Sequence, residues 1–127
     1  MPNTEMTKWL ISQVQLNMNA LEKGNNELKM NFSFSALFPD KNFDAEKEGH
    51  VRIDFIASTP EGKKFLSVIC DSFYKFSSTD LSEQEKREML ENQGFPETYE
   101  KFRTFLKNFT ESAQLRTILL PDYFQLR

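Results

Sequence analysis

The chain has 127 residues, a length that fits one domain and is too short for two independent cores. Its formal net charge of −3, from 16 basic and 19 acidic side chains, does not supply the basic surface that nucleic-acid binding needs. The first six residues do not show the basic region and apolar core of a signal peptide, and no apolar run approaches the length of a membrane helix, about 18 residues. We therefore expect one cytoplasmic domain over residues 1–127, with neither nucleic acid nor membrane as a partner.

Alternation of apolar and polar residues predicts four β-strands. They cover residues 10–18, 28–38, 51–58 and 64–76. In the first strand, the apolar residues from Leu10 to Met18 share one parity, which predicts a single buried face. Pro60 and Gly62 lie between the last two strands and suit a tight turn, so these strands are expected to pair as a hairpin.

The fourth predicted strand is apolar on both faces. Its main apolar parity includes Leu66 and Phe76, but Phe65, Ile69 and Phe73 interrupt the opposite parity. An antiparallel sheet usually leaves one face in water, so these three residues predict that the second face is covered. Another subunit and a loop of the same chain are equally good candidates for that cover.

The period changes to a helical one after the fourth strand. Two overlapping capping boxes, which begin at Asp80 and Ser82, predict a helix that starts at Ser82, and Gly94 predicts its end. Pro96 suits the first turn of a second helix. The apolar stripe of that helix, which predicts a core face, is Tyr99, Phe102, Phe105, Leu106, Phe109 and Ala113. The tail over residues 115–126 is too apolar to remain in water and is expected to dock.

Strands first and helices last predict an α+β fold, in which a four-stranded antiparallel sheet is followed by two C-terminal helices. Consecutive strands are usually neighbours, so the pairing is expected to be a meander or a Greek key.

Few residues could carry chemistry. The single histidine, His50, is expected in water at the start of a strand, and the single cysteine, Cys70, is expected to be buried and inert. A Cys/His zinc site lacks ligands, and the chain has no glycine-rich phosphate loop. Asp54 and Asp71 would form an interesting pair if the fold buried them together. We therefore predict a protein that is not an enzyme and uses no cofactor and no metal.

The order of these elements resembles the export chaperone family of SecB. The resemblance is strongest from about residue 51 to residue 126. It rests on Phe65-Leu66 in the fourth strand, on the break at Gly94-Phe95-Pro96, and on the ending Ile118-Leu119-Leu120-Pro121-Asp122-Tyr123-Phe124. The resemblance implies a homotetramer, built as a dimer of dimers, that holds unfolded or partly folded polypeptides without ATP.

By position, the resemblance also implies a client-binding surface on the early strands and on the second helix. Its candidate residues are Trp9, Phe32, Phe34, Phe65, Ile69, Phe73, Phe102, Phe105 and Tyr123. The family contacts the export motor SecA through acidic side chains on the outer face of the sheet. Here no acid occurs after Leu66 until Asp71, so coupling to SecA is not expected.

Two other functions remain open from the sequence. The first is an adaptor of the same fold that binds one folded partner. The second is a domain that binds a small molecule, or acts as an enzyme, in a pocket lined by aromatic residues. A chaperone is distinguished from both because it suppresses the aggregation of unfolded clients.

Overall fold

Strands precede helices along the chain. The computed structural model describes residues 4–18, 28–38, 48–77, 81–112, 120 and 123. Its elements are β1 (Thr4–Leu16), β2 (Lys29–Leu37), β3 (Glu48–Ser58), β4 (Lys64–Phe76), α1 (Glu83–Met89), a π-helix (Leu90–Gly94) and α2 (Phe95–Ser112). The predicted α+β class is confirmed, and β4 has the predicted bounds. β1 begins six residues before its predicted start, at Thr4 rather than Leu10.

The four strands form one antiparallel sheet in the order β1-β4-β3-β2. The first strand pairs with the last one, while the other three are consecutive neighbours, and this arrangement is a Greek key. β1 and β2 are therefore the two edges of the sheet among the described strands. We call the side covered by α2 the inner face and the opposite side the outer face.

The hairpin between β3 and β4 forms as predicted. The backbone N–H of Gly62 donates to the carbonyl of Thr59 at 2.9 Å, and Gly62 has a φ of +92°. Only glycine adopts this left-handed conformation without steric cost. The turn residues therefore set the pairing at the start of the hairpin, where Ser58 lies opposite Lys64.

The prediction that the apolar residues of β1 share one face is wrong. The register with β4 shifts between Met6 and Lys8 and again between Ile11 and Gln13. Each shift adds a residue and reverses the parity that follows it. As a result Ile11 and Val14 both lie opposite core residues of β4, whereas Leu10 lies on the outer face opposite Asp71.

Phe65 also departs from its predicted face. The pairing of β3 with β4 shifts between Ala57 and Ser58, at the start of β4. This irregularity lets Phe65 and Leu66, although adjacent, both enter the core, where Phe65 is only 3% exposed. Ile69 and Phe73 do lie on the outer face, and both are half-buried.

Two groups of buried side chains fill the space between the sheet and the helices. The larger group lies under α2 and consists of Ile53, Phe55, Ala57, Phe65, Leu66, Val68, Cys70, Tyr99, Phe102, Leu106 and Leu120. The smaller group lies beside the π-helix and consists of Ala36, Val51, Tyr74, Phe76 and Leu90. Leu120 is thus a described point at which the tail docks, as predicted. The other tail residues, except Tyr123, lie outside the described ranges.

The helical segment begins as predicted but does not end at Gly94. Ser82 and Glu85 form a capping box at the start of α1, while Asp80 lies outside the described residues. The chain then passes through the π-helix directly into α2, and Pro96 occupies the first turn of α2. The turn at Gly94 lies close to the sheet, where the Gly94 carbonyl accepts a hydrogen bond from the Tyr74 hydroxyl at 3.2 Å. Because glycine has no side chain, it permits this close approach.

Replacement of Gly94 by alanine tests this close approach. A Cβ atom there would lie 3.0 Å from Cγ2 of Val51, a fully buried and β-branched residue whose side chain rotates with difficulty. Overpacking should outweigh the gain in helix propensity, so we expect Gly94→Ala to lower the free energy of unfolding by about 1 kcal/mol. Urea unfolding measures this change. Asn92 lies in the same turn and is exposed, so Asn92→Ala should leave the free energy of unfolding unchanged. Equal urea midpoints for the two variants would contradict the overpacking at Gly94.

Candidate polypeptide-binding surface

The nine candidate binding residues fall into four places. Trp9 and Phe105 line a groove between β1 and α2. Phe32, Phe34, Phe102 and Tyr123 belong to an aromatic cluster on the other side of α2. Ile69 and Phe73 lie on the outer face, and Phe65 is in the core. The structure therefore brings together only subsets of the set that was predicted as one surface.

The groove between β1 and α2 has a volume of about 450 Å³, and we call it the edge groove. It is lined by Trp9, Lys101, Thr104, Phe105, Asn108, Phe109 and Ser112. The rings of Phe105 and Phe109 are stacked with centroids 5.7 Å apart, and both side chains are half-buried. Three large rings on one open groove give a surface that can bury apolar side chains of another molecule.

The edge groove exists because α2 packs towards the β2 side of the sheet. The ring of Phe102 lies 5.3 Å from Phe55 on β3 and 6.3 Å from Phe32 on β2. The inner face of β1 is consequently left open, and Trp9, Val14 and Leu16 are 37–39% exposed. Contiguous apolar exposure of this kind is typical of an interaction site.

The backbone of β1 adds a second means of binding. β1 is an edge strand, and within the described ranges its free side pairs with no other strand. An unpaired strand edge offers alternating N–H and C=O groups to an extended polypeptide, which can join the sheet as a further strand. Side chains of that polypeptide would alternate between the edge groove and the outer face.

The aromatic cluster on the other side of α2 is more closed. The ring of Phe34 lies 5.4 Å from Phe95 and 5.7 Å from Tyr123, and Tyr123 in turn lies 5.9 Å from Tyr99. These rings pack β2, α2 and the tail against one another. Phe102 is fully buried in the core and Phe65 nearly so, and neither can reach a client while the sheet and α2 remain packed.

A polar cluster lies on the outer face, where Asp71 is the central residue. Its side chain is only 4% exposed. Arg52 donates from Nε at 2.8 Å, His50 Nε2 lies 2.5 Å from the carboxylate, and the Ser12 hydroxyl donates to the other oxygen. The expectation that His50 is in water is therefore wrong, because the ring binds Asp71 and stacks on Phe73 at 4.6 Å.

The electrostatics of this cluster favour an ionised carboxylate. Burial raises the pKa of Asp71, but hydrogen bonds from Arg52, Ser12 and His50 outweigh burial and hold the pKa below its usual value. Asp54 lies on the same face but is not bonded to Asp71, so the two acids do not form a pair. The Ser12 hydroxyl donates to Asp71 and not to His50, so the three side chains do not form a Ser-His-Asp relay.

The sequence pattern carries only part of the information that places this cluster. His50 and Arg52 share one parity on β3, and Asp71 has the matching parity on β4. The register at the turn, where Ser58 pairs with Lys64, would place Arg52 opposite Cys70, and the shift between Ala57 and Ser58 brings Asp71 opposite Arg52 instead. Ser12 also lies at a register shift, in β1, so the local pattern does not place it either.

Cys70 is buried on the inner face, whereas His50 lies on the outer face, so the two do not form a catalytic pair. Burial, with a smaller effect of the Asp71 charge, raises the pKa of the Cys70 thiol to about 12. We expect the native protein not to react with a thiol reagent at pH 8, and the protein unfolded in urea to react fully. Rapid labelling of the folded protein would contradict the burial.

The described residues contain no group of three or more His, Cys, Asp or Glu side chains placed to hold a metal ion. None of their helices is long and apolar enough to cross a membrane.

Comparison with known proteins decides the fold. No protein-family model and no curated protein sequence matches the chain. Among solved structures, the Mycobacterium tuberculosis Rv1957 SecB-like chaperone, in complex with a ChAD peptide from the Rv1956 HigA1 antitoxin, aligns with a TM-score of 0.68. The alignment covers 94% of this chain and 89% of that one at 14% identity. This chain has a SecB-like fold.

The match supports the resemblance seen in the sequence at the level of architecture. A Streptococcus agalactiae protein of unknown function also aligns, over 95% of this chain and 98% of its own, with 12% identity and a TM-score of 0.48. At 14% identity, the property shared with the mycobacterial structure is the fold, and function must be argued from the surfaces of this chain.

Proposed function

We propose that this chain is a non-enzymatic chaperone that holds unfolded or partly folded polypeptide segments without ATP. The observation that carries the proposal is the edge groove, where exposed Trp9, half-buried Phe105 and Phe109, and the free edge of β1 lie side by side. Apolar burial is non-directional, and backbone pairing reads no side chains, so such a surface accepts varied sequences.

The similar mycobacterial structure lends support, since that SecB-like chaperone is seen with a peptide of an antitoxin. The same observation favours a second candidate, in which this chain is an adaptor for one partner protein. A general chaperone should bind many unfolded clients with similar affinity. An adaptor should capture one protein and leave the aggregation of others unchanged.

The proposal extends to a cytoplasmic homo-oligomer, a dimer or a tetramer, that takes part in protein export without coupling to SecA. Half-buried Ile69 and Phe73 on the outer face are the reason to expect a second copy. Size-exclusion chromatography with light scattering tests the oligomer. A monomer would leave the edge groove intact as a binding site but would remove this argument for self-association.

Trp9 makes the main experiment direct, because it is the chain's single tryptophan and lines the edge groove. Addition of an unfolded client should shift the tryptophan emission to shorter wavelength, and stoichiometric protein should suppress client aggregation. Trp9→Ala should weaken suppression. Leu37→Ala is the matched control, since Leu37 is 40% exposed on the opposite edge strand and should keep full activity. Absence of suppression by the unaltered protein in excess would refute the chaperone proposal.

A further inference from the structure

We infer that the edge groove prefers extended segments in which an acidic residue lies beside the apolar ones. This inference rests on the proposed function and names the class of segment that the groove selects. Of the described residues that line the groove, Lys101 alone carries a charge. The remaining lining residues are aromatic or neutral and polar.

Lys101 is not matched by a carboxylate of its own helix. Glu97 lies one turn earlier, at a spacing that permits an ion pair, but among the described residues no ion pair joins it to Lys101. Glu100 pairs with Arg103 at 3.4 Å. The ammonium group of exposed Lys101 is therefore available to a carboxylate on a bound segment.

The neighbouring edge strand does not oppose this preference. Gln13 and Gln15 on β1 are exposed and uncharged, and Lys8 lies on the outer face opposite Phe73. A bound segment that follows β1 would therefore meet Lys101 as the nearest charge of the groove. A carboxylate placed near Lys101 gains from it, while a lysine in the same place is repelled.

The net charge of the whole chain opposes this preference, since a charge of −3 attracts basic segments at long range. Charges separated by more than about 8 Å are largely screened at physiological salt, so the local lysine should dominate. An exposed ion pair is a weak interaction. We therefore expect the acidic segment to bind about threefold more tightly than the basic one, and the difference to shrink as salt rises.

Two peptides test the inference. Both carry the same alternating aromatic and aliphatic residues, and they differ only in having aspartate or lysine at the flanking positions. Peptide anisotropy and Trp9 emission give the dissociation constant of each at low and at physiological salt. Lys101→Glu should reverse the preference, so that the lysine peptide binds more tightly.

Lys107→Glu is the matched control. Lys107 lies on the same helix, is also exposed and undergoes the same change of charge, but it does not line the edge groove. The acidic preference should survive in this variant. Circular dichroism checks that both variants fold, which is expected because both positions are exposed.

The outcomes separate the two levels of the argument. Equal dissociation constants, or tighter binding of the basic peptide by the unaltered protein, would overturn the charge preference and leave the binding function standing. Lys101→Glu and Lys107→Glu effects of equal size would also overturn it, because net charge would then explain the result. Failure of both peptides to bind would overturn the proposed function itself.

Discussion

Asp71→Asn is expected to lower the free energy of unfolding at pH 7 by about 2 kcal/mol. Asparagine keeps the shape of the side chain but lacks the negative charge of the carboxylate, which accepts hydrogen bonds from Arg52, His50 and Ser12. Hydrogen bonds to a buried charged group are stronger than neutral ones, and their donors would lose a charged acceptor. Urea unfolding at pH 7 measures the loss.

The ionisation of Asp71 should also make the free energy of unfolding depend on pH. The pKa of Asp71 is lowered in the folded chain, so its contribution to stability is complete above the unfolded pKa of about 3.9. That contribution is lost as the pH falls below this value and through the lower folded pKa. Between about pH 5 and about pH 2, the unaltered protein should therefore lose more stability than Asp71→Asn.

Asp54→Asn provides the matched control for both measurements. Asp54 lies on the outer face, only half-buried, and is not bonded to the cluster. Its replacement should change stability by less than about 0.5 kcal/mol. If the two variants lost the same stability, the special role of the Asp71 cluster would be disproved.

Phe102→Ala and Phe105→Ala should differ sharply although the residues are three positions apart on α2. Phe102 is fully buried against Phe55 and Phe32, so its removal leaves a cavity and should cost about 3–5 kcal/mol. Phe105 is half-buried at the edge groove, so its replacement by alanine should cost about 1 kcal/mol. Urea unfolding of the two variants measures both values.

Peptide binding, in contrast to stability, should depend on Phe105 and not on Phe102. Phe105→Ala removes a ring that lines the edge groove and should weaken binding to the proposed site. Phe102→Leu, which keeps much of the buried volume and is expected to fold, should bind as the unaltered protein does. If Phe102→Leu lost binding while remaining folded, then Phe102 would belong to the binding surface and our separation of core from groove would be wrong.

The sequence alone determined the elements whose signals are local. The bounds of β4, the tight turn at Gly62 and the capping box at Ser82 follow from alternation, from a left-handed backbone conformation and from a side chain that reaches its own helix. Each depends on residues a few positions apart. Tertiary contacts were not needed to place them.

Gly94 shows where a local signal misleads. Glycine often ends a helix, and the sequence offers Pro96 shortly after it. In the fold the same glycine lets a π-helical turn approach Val51 and Tyr74, a requirement that comes from the sheet and is absent from the local sequence.

The candidate binding site depended on the tertiary structure most of all. Trp9 and Phe105 are 96 positions apart by their numbers, and they meet because β1 pairs with β4 while α2 packs towards β2. Two register shifts decide which face of β1 carries Trp9, and a third turns Phe65 inward. Strand alternation predicts that residues share a face, but a single inserted residue reverses the faces. Only the paired sheet therefore decides which aromatic residues form the core and which remain open to a partner.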